Sequence, residues 1–278
     1  MADSYDVILV GTGFASSLFL HSYLEKAPAT ARVLVLERGK VDTHSWQVQH
    51  DRTSSKRAKD TFVNQHPYKE WVYNPSFGGG SNCWWAVTPR FLPNDFQMRS
   101  MYDVGVDWPI RYDDLEPFYG QAEDILAISG PSDDSPFPRS SPYPQPPHRF
   151  TDPDKILKAA YPDLFFHQPT ARARVSTTKR PRCCATGSCG LCPINAKFTV
   201  MNELQHLYDD PRVTLTLEAT VQTVETQGGQ ASGVTYRQAG REIQSNADLI
   251  ILGANALFNP HILQRSNIEH PFLGKYLN

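Results

Sequence analysis

Two groups of residues in this 278-residue chain have the types and spacing to do chemistry. The first is a run of thiols. Four of the five cysteines fall within ten residues, as Cys183, Cys184, Cys189 and Cys192, in the pattern C-C-x4-C-x2-C-P. Thiolates this crowded can hold a soft metal, and Gly187 and Gly190 let the loop wrap around one. Three chemistries compete for the pattern. A structural zinc site usually shows two separated C-x2-C knuckles, and here there is one. A redox disulfide between Cys189 and Cys192 leaves the adjacent pair unexplained. An iron–sulfur cluster uses all of the crowding, and a proline after the last cysteine is a common companion in bacterial ferredoxin loops. A secreted disulfide scaffold would instead spread its cysteines to close long loops.

The second group is Gly11-Thr12-Gly13-Phe14-Ala15-Ser16, followed a little over twenty residues later by Glu37. Lacking a Cβ, Gly11 and Gly13 permit a tight turn and close approach of the backbone to a pyrophosphate at a helix N-terminus. Glu37 is placed to accept hydrogen bonds from an adenosine ribose. Ser16 stands where a third glycine is usual and is small enough to keep the helix near the strand.

These residues need a frame, and the flanking sequence supplies one. Val7–Val10 and Val33–Leu36 are short, continuous apolar runs, the mark of strands buried on both faces of a parallel sheet. The stretch from Phe14 to Lys26 between them reads as a helix. Strand, glycine turn, helix, strand and acid in this order predict a dinucleotide site in an α/β fold.

The bulk properties agree with an ordinary globular chain. It is 40% hydrophobic and 20% charged, with a net charge of -2 that marks no nucleic-acid or membrane surface. No run approaches the roughly 18–20 apolar residues of a membrane span. Met1-Ala2-Asp3-Ser4 lacks the basic start of a signal peptide, so the expectation is a cytoplasmic chain, or a periplasmic one if exported with a partner.

Between Asp42 and Gln65 the chain turns polar and reads as a surface excursion, partly helical. Its histidines match no ligand spacing. Then comes Phe77-Gly78-Gly79-Gly80-Ser81-Asn82-Cys83-Trp84-Trp85, where three glycines can press bare backbone against a ligand and the aromatics can wall a flat ring. Asp113 reads as the cap of a helix running to about Ile128. Ser129 to Pro153 holds eight prolines and reads as an extended connector without regular structure. From Val213 the pattern turns β-like, in Val213–Leu217, Thr220–Val224 and Gly233–Tyr236, with Gly228-Gly229 as a turn. Asp248–Leu252 is a further buried strand, leading into Gly253-Ala254-Asn255 and a helical stretch through Asn259.

The N-terminal unit, the Gly-Gly-Gly-Ser stretch, Asp107-Trp108-Pro109 with the residues after it, and the segment from Gly253 resemble the glucose–methanol–choline (GMC) family of flavin oxidoreductases. The nearest branch is that of bacterial sugar and gluconate dehydrogenases and pyranose oxidase. The implied fold is α/β, a Rossmann-like FAD-binding domain of the glutathione-reductase type. It combines a parallel sheet with a β-meander and carries part of a substrate domain. The resemblance implies FAD held by Gly11, Gly13, Phe14, Ala15, Ser16, Glu37, Arg38, Gly78, Gly79, Gly80, Ser81, Asn82, Cys83, Val221, Gly253 and Ala254. Cys83 stands where several relatives have histidine, which removes a histidyl–flavin link. Asn259 stands where Ser or Thr is usual.

Iron–sulfur members of that branch carry a similar cysteine segment. The resemblance therefore implies a cluster, 3Fe–4S before 4Fe–4S, with Cys183, Cys184 and Cys189 favoured as its three ligands and Cys192 the remaining candidate. It further implies a sugar or alcohol substrate, hydride transfer to flavin, and electrons passed to a cytochrome or other acceptor. The alternative is a flavin-binding or electron-transfer subunit without substrate chemistry. The match covers only the first half of a family member, so no catalytic base is assigned and a companion chain or C-terminal half is expected to complete the site. The predicted organisation is 1–128 and 201–278 for the two parts of the FAD domain, with the connector and cysteine segment at 129–200.

Overall fold

Val7–Val10 and Val33–Leu36 are buried along their whole length. They lie side by side in parallel, Val7 against Val33 and Val10 against Leu36. The computed structural model describes residues 3–66 and 68–275. In chain order the elements among the described residues are β1 (Asp3–Val10), α1 (Phe14–Lys26), β2 (Val33–Leu36), α2 (His44–His50), α3 (Met98–Tyr102), α4 (Tyr112–Leu126), α5 (Asp152–Ala160), α6 (Val200–Glu203), β3 (Val213–Thr216), β4 (Thr220–Gln227), β5 (Gln230–Gln238), β6 (Arg241–Leu252) and α7 (Phe258–Arg265). They divide into two compact units, Met1–Trp84 with Thr199–Asn278, and Trp85–Phe198.

The first unit holds one six-stranded sheet in the order β3-β2-β1-β6-β5-β4. β3, β2, β1 and β6 are parallel, and β6, β5 and β4 form an antiparallel meander. Ile8, Val10, Leu34 and Leu36 point to one face, where they join Val221, Val224, Val234 and Tyr236 of the meander and Ile262 of α7 in a single core. Each large aliphatic side chain so buried contributes about 1.5–3 kcal/mol. β5 accompanies β6 only from Arg241 to Asn246. Beyond it, Ala247–Leu252 pairs with β1 on one side and, among the described residues, with no strand on the other.

One β-like run belongs elsewhere than expected. Val213–Thr216 is not part of the meander but a parallel edge strand beside β2, with Val213 opposite Val33. Apolar periodicity carries no strand direction. A long-range anchor sets it: the Arg212 guanidinium, just ahead of β3, donates to the carbonyls of Leu24 and Ala27 at the end of α1, both at 3.0 Å. The strand predicted at Asp248–Leu252 is the last part of the 12-residue β6.

In the second unit, α4 begins one residue before the predicted cap. Arg111 occupies the cap position and its N–H donates to Asp114 at 2.8 Å, while Asp113 lies in the first turn. The proline-rich segment is also more than a surface connector. Ser129 bridges to both Gln145 and Thr170, the Tyr143 ring packs so closely on Gly130 that a Cβ there would fall 2.6 Å from it, and Pro153 sits in the first turn of α5. Arg90 joins this segment to α4, with bonds to Glu116, Glu123 and the Pro138 carbonyl. Composition placed a boundary at 128/129; with these contacts, residues 85–198 form one unit.

Candidate cofactor site and the cysteine segment

A cavity of about 570 Å³ opens in the first unit where β1 and β2 end. Three loops meet there almost backbone to backbone. Gly11 has φ +91°, its N–H donates to the Leu36 carbonyl at 2.8 Å, and a Cβ on it would fall 2.6 Å from the Gly253 oxygen. A Cβ on Gly253 would in turn fall 2.0 Å from Ser16 Oγ. Gly13 and Gly80 differ: a Cβ on either would meet nothing within 4 Å. Both line the cavity, and there they present bare backbone to open space. α1 starts at this point with no side-chain cap and no acid in its first turn. The uncapped, positive end of a helix is suited to a pyrophosphate.

Glu37 lines the same cavity and is 5% exposed. Its Oε2 accepts from the Thr12 N–H at 3.1 Å and the Thr12 hydroxyl at 2.7 Å, and its Oε1 accepts from the Gly39 N–H at 2.8 Å. The Thr12 hydroxyl also accepts from the Gly78 N–H at 2.9 Å. Beside it the Arg38 guanidinium lies 4.5 Å over the Phe258 ring, a cation–π contact. Asn259 fixes the loop after β6 from both ends of its amide. Oδ1 accepts from the Ala254 N–H at 2.8 Å and Nδ2 donates to the Leu252 carbonyl at 2.9 Å.

Of the residues predicted to hold the cofactor, Gly11, Gly13, Phe14, Ala15, Glu37 and Arg38 line the cavity. So do Gly79, Gly80, Val221, Gly253 and Ala254. Ser16, Gly78, Ser81, Asn82 and Cys83 are not on its wall. Ser16 is buried against Gly253. The Ser81 hydroxyl donates to the Gly78 carbonyl and accepts from the Val200 N–H. Asn82 Nδ2 donates to the Phe77 carbonyl at 2.8 Å, and the Cys83 thiol is directed at the Gly80 carbonyl. These residues shape the glycine stretch from behind. Trp84 is placed edge-on to Phe14, with ring centroids 4.5 Å apart. Thr12 and Phe258 went unnoticed in the sequence, where nothing local separates them from filler.

In the second unit the predicted ligand set of Cys183, Cys184, Cys189 and Cys192 is not assembled. Among the described residues, no three His, Cys, Asp or Glu side chains gather closely enough to hold a metal. The sulfurs face different groups instead. Cys183 accepts from the Ala185 N–H, Cys192 from the Ala196 N–H at 3.3 Å, and the buried Cys189 from Arg172 Nη1 at 3.3 Å. Cys184 is exposed and meets the Thr186 hydroxyl at 3.4 Å. That hydrogen bond lowers the Cys184 thiol from its ordinary range, while burial pushes Cys183 up. The thiolate is the nucleophile. Limited iodoacetamide at neutral pH is therefore expected to label Cys184 before Cys183 or Cys189; peptide mapping that found Cys189 labelled first would contradict this arrangement.

A sequence model of the GMC oxidoreductases matches residues 152–278. Over 98% of its length the chain is 25% identical to the fructose dehydrogenase large subunit of Gluconobacter japonicus, of which it covers 59%. The C-terminal part of the chain, residues 152–278, is thus similar to the GMC oxidoreductases. The chain is also 25% identical to the gluconate 2-dehydrogenase flavoprotein of Pantoea cypripedii, over 96% of its own length and 53% of that protein. It thus spans little more than half the length of these curated relatives. The fold is similar to that of pyridoxine 4-oxidase from Mesorbium loti, with a TM-score of 0.63 and 18% identity over 95% of this chain and 52% of the other. Formate oxidase is a second structural neighbour, at a TM-score of 0.55 and 17% identity. The cavity fits the family's FAD, since two glycines leave a cradle that any Cβ would narrow and an uncapped helix end meets it. No helix among the described residues is long and apolar enough to cross a membrane.

Proposed function

We propose that this chain is the FAD-holding half of an oxidoreductase acting on the CH–OH group of a sugar or another alcohol. The observation that carries the reading is the single cavity on which the β1–α1 turn, the end of β2, the glycine stretch and the loop after β6 converge. Gly13 and the start of α1 would take the pyrophosphate, Glu37 a ribose hydroxyl, and Val221 with its neighbours on β4 the adenine side. Bound FAD supplies a two-electron hydride acceptor. The chain's own part is to hold and orient it. Within this proposal the group that accepts the alcohol proton belongs to the relatives' remaining length or to a companion chain. Onward transfer through an iron–sulfur cluster is implied by the cysteine spacing, but the thiols as arranged form no ligand cage and no step of the proposal runs through one.

The test is a visible absorption spectrum of the anaerobically purified protein, before and after incubation with FAD, with iron and acid-labile sulfide assayed on the same sample. Protein-bound flavin bands are expected. A protein that neither carries nor takes up FAD would refute the proposal. Glu37→Ala removes a charged acceptor of the ribose and is expected to weaken FAD binding about tenfold or more; unchanged affinity would move the adenosine away from β2.

A further inference from the structure

We propose that Thr12 is the positioning residue of this site, a hydroxyl relay that sets the Glu37 carboxylate and the glycine stretch in register before any cofactor arrives. The inference rests on the FAD reading of the cavity and assigns a residue that the fingerprint itself leaves unspecified.

A threonine hydroxyl has one proton to give and two lone pairs to receive. The Glu37 carboxylate can only accept, so the 2.7 Å bond between them fixes Thr12 as donor there. The same oxygen is thereby left to accept the Gly78 N–H at 2.9 Å. No second arrangement satisfies both neighbours. The relay is buried at the cavity wall, with Thr12 at 0% and Glu37 at 5% exposure. It ties together segments 25 and 66 residues apart in the chain, namely the turn after β1, the end of β2 and the glycine stretch.

The relay also determines what Glu37 has left to offer. A carboxylate has about four acceptor positions. Two donors from Thr12 occupy Oε2 and the Gly39 N–H takes one position on Oε1. One acceptor position remains, on Oε1, for a single ligand hydroxyl. Without the Thr12 hydroxyl, Glu37 loses the shortest of its three bonds and keeps only the two backbone donors, and the Gly78 amide has no acceptor at that point.

The experiment compares Thr12→Val, which keeps the shape and removes the hydroxyl, with Thr12→Ser, which keeps the hydroxyl. Thr12→Ala repeats the first change without the branching. Two quantities are read: the FAD dissociation constant by fluorescence titration, and hydrogen exchange at the Gly78 amide in the cofactor-free protein. Valine and alanine are expected to raise the dissociation constant about tenfold or more and to speed Gly78 exchange, with serine within about threefold of the parent in both. Parental affinity together with a protected Gly78 amide in Thr12→Val would overturn the proposal, as would serine behaving like valine. If the parent protein takes up no FAD, the function proposed above fails, while Gly78 exchange in Thr12→Val still decides whether the relay exists.

Discussion

Arg90→Met is expected to destabilise the unit formed by residues 85–198 by about 3–5 kcal/mol, the usual cost of removing one partner from a buried ion pair. The Arg90 side chain is 1% exposed. Its Nε and Nη2 make a two-pronged contact with Glu123, both at 2.8 Å, and Nη1 reaches Glu116 at 3.0 Å, the Tyr112 hydroxyl at 3.1 Å and the Pro138 carbonyl at 2.9 Å. Methionine fills the space but takes the guanidinium away from two carboxylates, Glu116 and Glu123. Arg139, 2.7 Å from Glu123, offsets part of the loss and favours the lower end of the range. The pH dependence follows in sign. The Ser140 backbone N–H, the Ser140 hydroxyl and Arg90 hold the Glu116 carboxyl below its ordinary value. Its contribution is present above the ordinary glutamate range and is lost as pH falls through the lowered value. Urea titration of parent and variant at neutral pH checks the magnitude; an unchanged midpoint would mean that Arg90 does not organise this unit.

The second large effect is expected at Gly11, and Gly13 provides its control. In Gly11→Ala the new methyl lies 2.6 Å from the Gly253 oxygen and 3.1 Å from its carbonyl carbon, at a φ of +91° that side chains avoid. Backbone strain and overpacking together cost about 2–5 kcal/mol, and the loop after β6 must move away from the cavity. Stability and FAD retention should fall together. Gly13→Ala should separate them. There φ is -73° and a Cβ meets no protein atom within 4 Å, so the fold should tolerate it. The methyl instead enters the cavity and should weaken FAD binding at nearly parental thermal stability. Calorimetry with a FAD titration on both variants decides this. Equal cofactor loss and equal destabilisation in the two would argue against the cradle.

The contrast between these two glycines shows how far the sequence could be read. Both were visible as positions without a Cβ beside a predicted helix start, and α1 and β2 run between the residues expected of them because a strand buried on both faces writes a continuous apolar run. Which glycine serves packing and which serves the ligand depends on Gly253, which is 242 residues from Gly11 in the chain. Thr12 was hidden for the same reason: its partners are set by the fold and not by its neighbours. β3 shows the limit for strand direction, since Arg212, just ahead of it, is anchored to distant carbonyls at the end of α1. The cysteine segment shows the limit for ligand sets. Spacing brings thiols near one another along the chain, but where each sulfur points is set by Arg172 and by nearby backbone amides.

The unpaired stretch of β6 has a practical consequence. Because the Gly253 N–H bonds to the Val10 carbonyl, alternation turns the backbone of Ile251 and Leu249 toward β1 and that of Asp248 and Ile250 outward. Around those groups the strand reads Ala-Asp-Leu-Ile-Ile-Leu, and Leu249 is 44% exposed although it lies on a strand in the middle of the sheet order. Exposed ladders in apolar surroundings are templates for further strands. For this polypeptide handled alone, association is therefore expected to rise with concentration, and light scattering across a dilution series checks it.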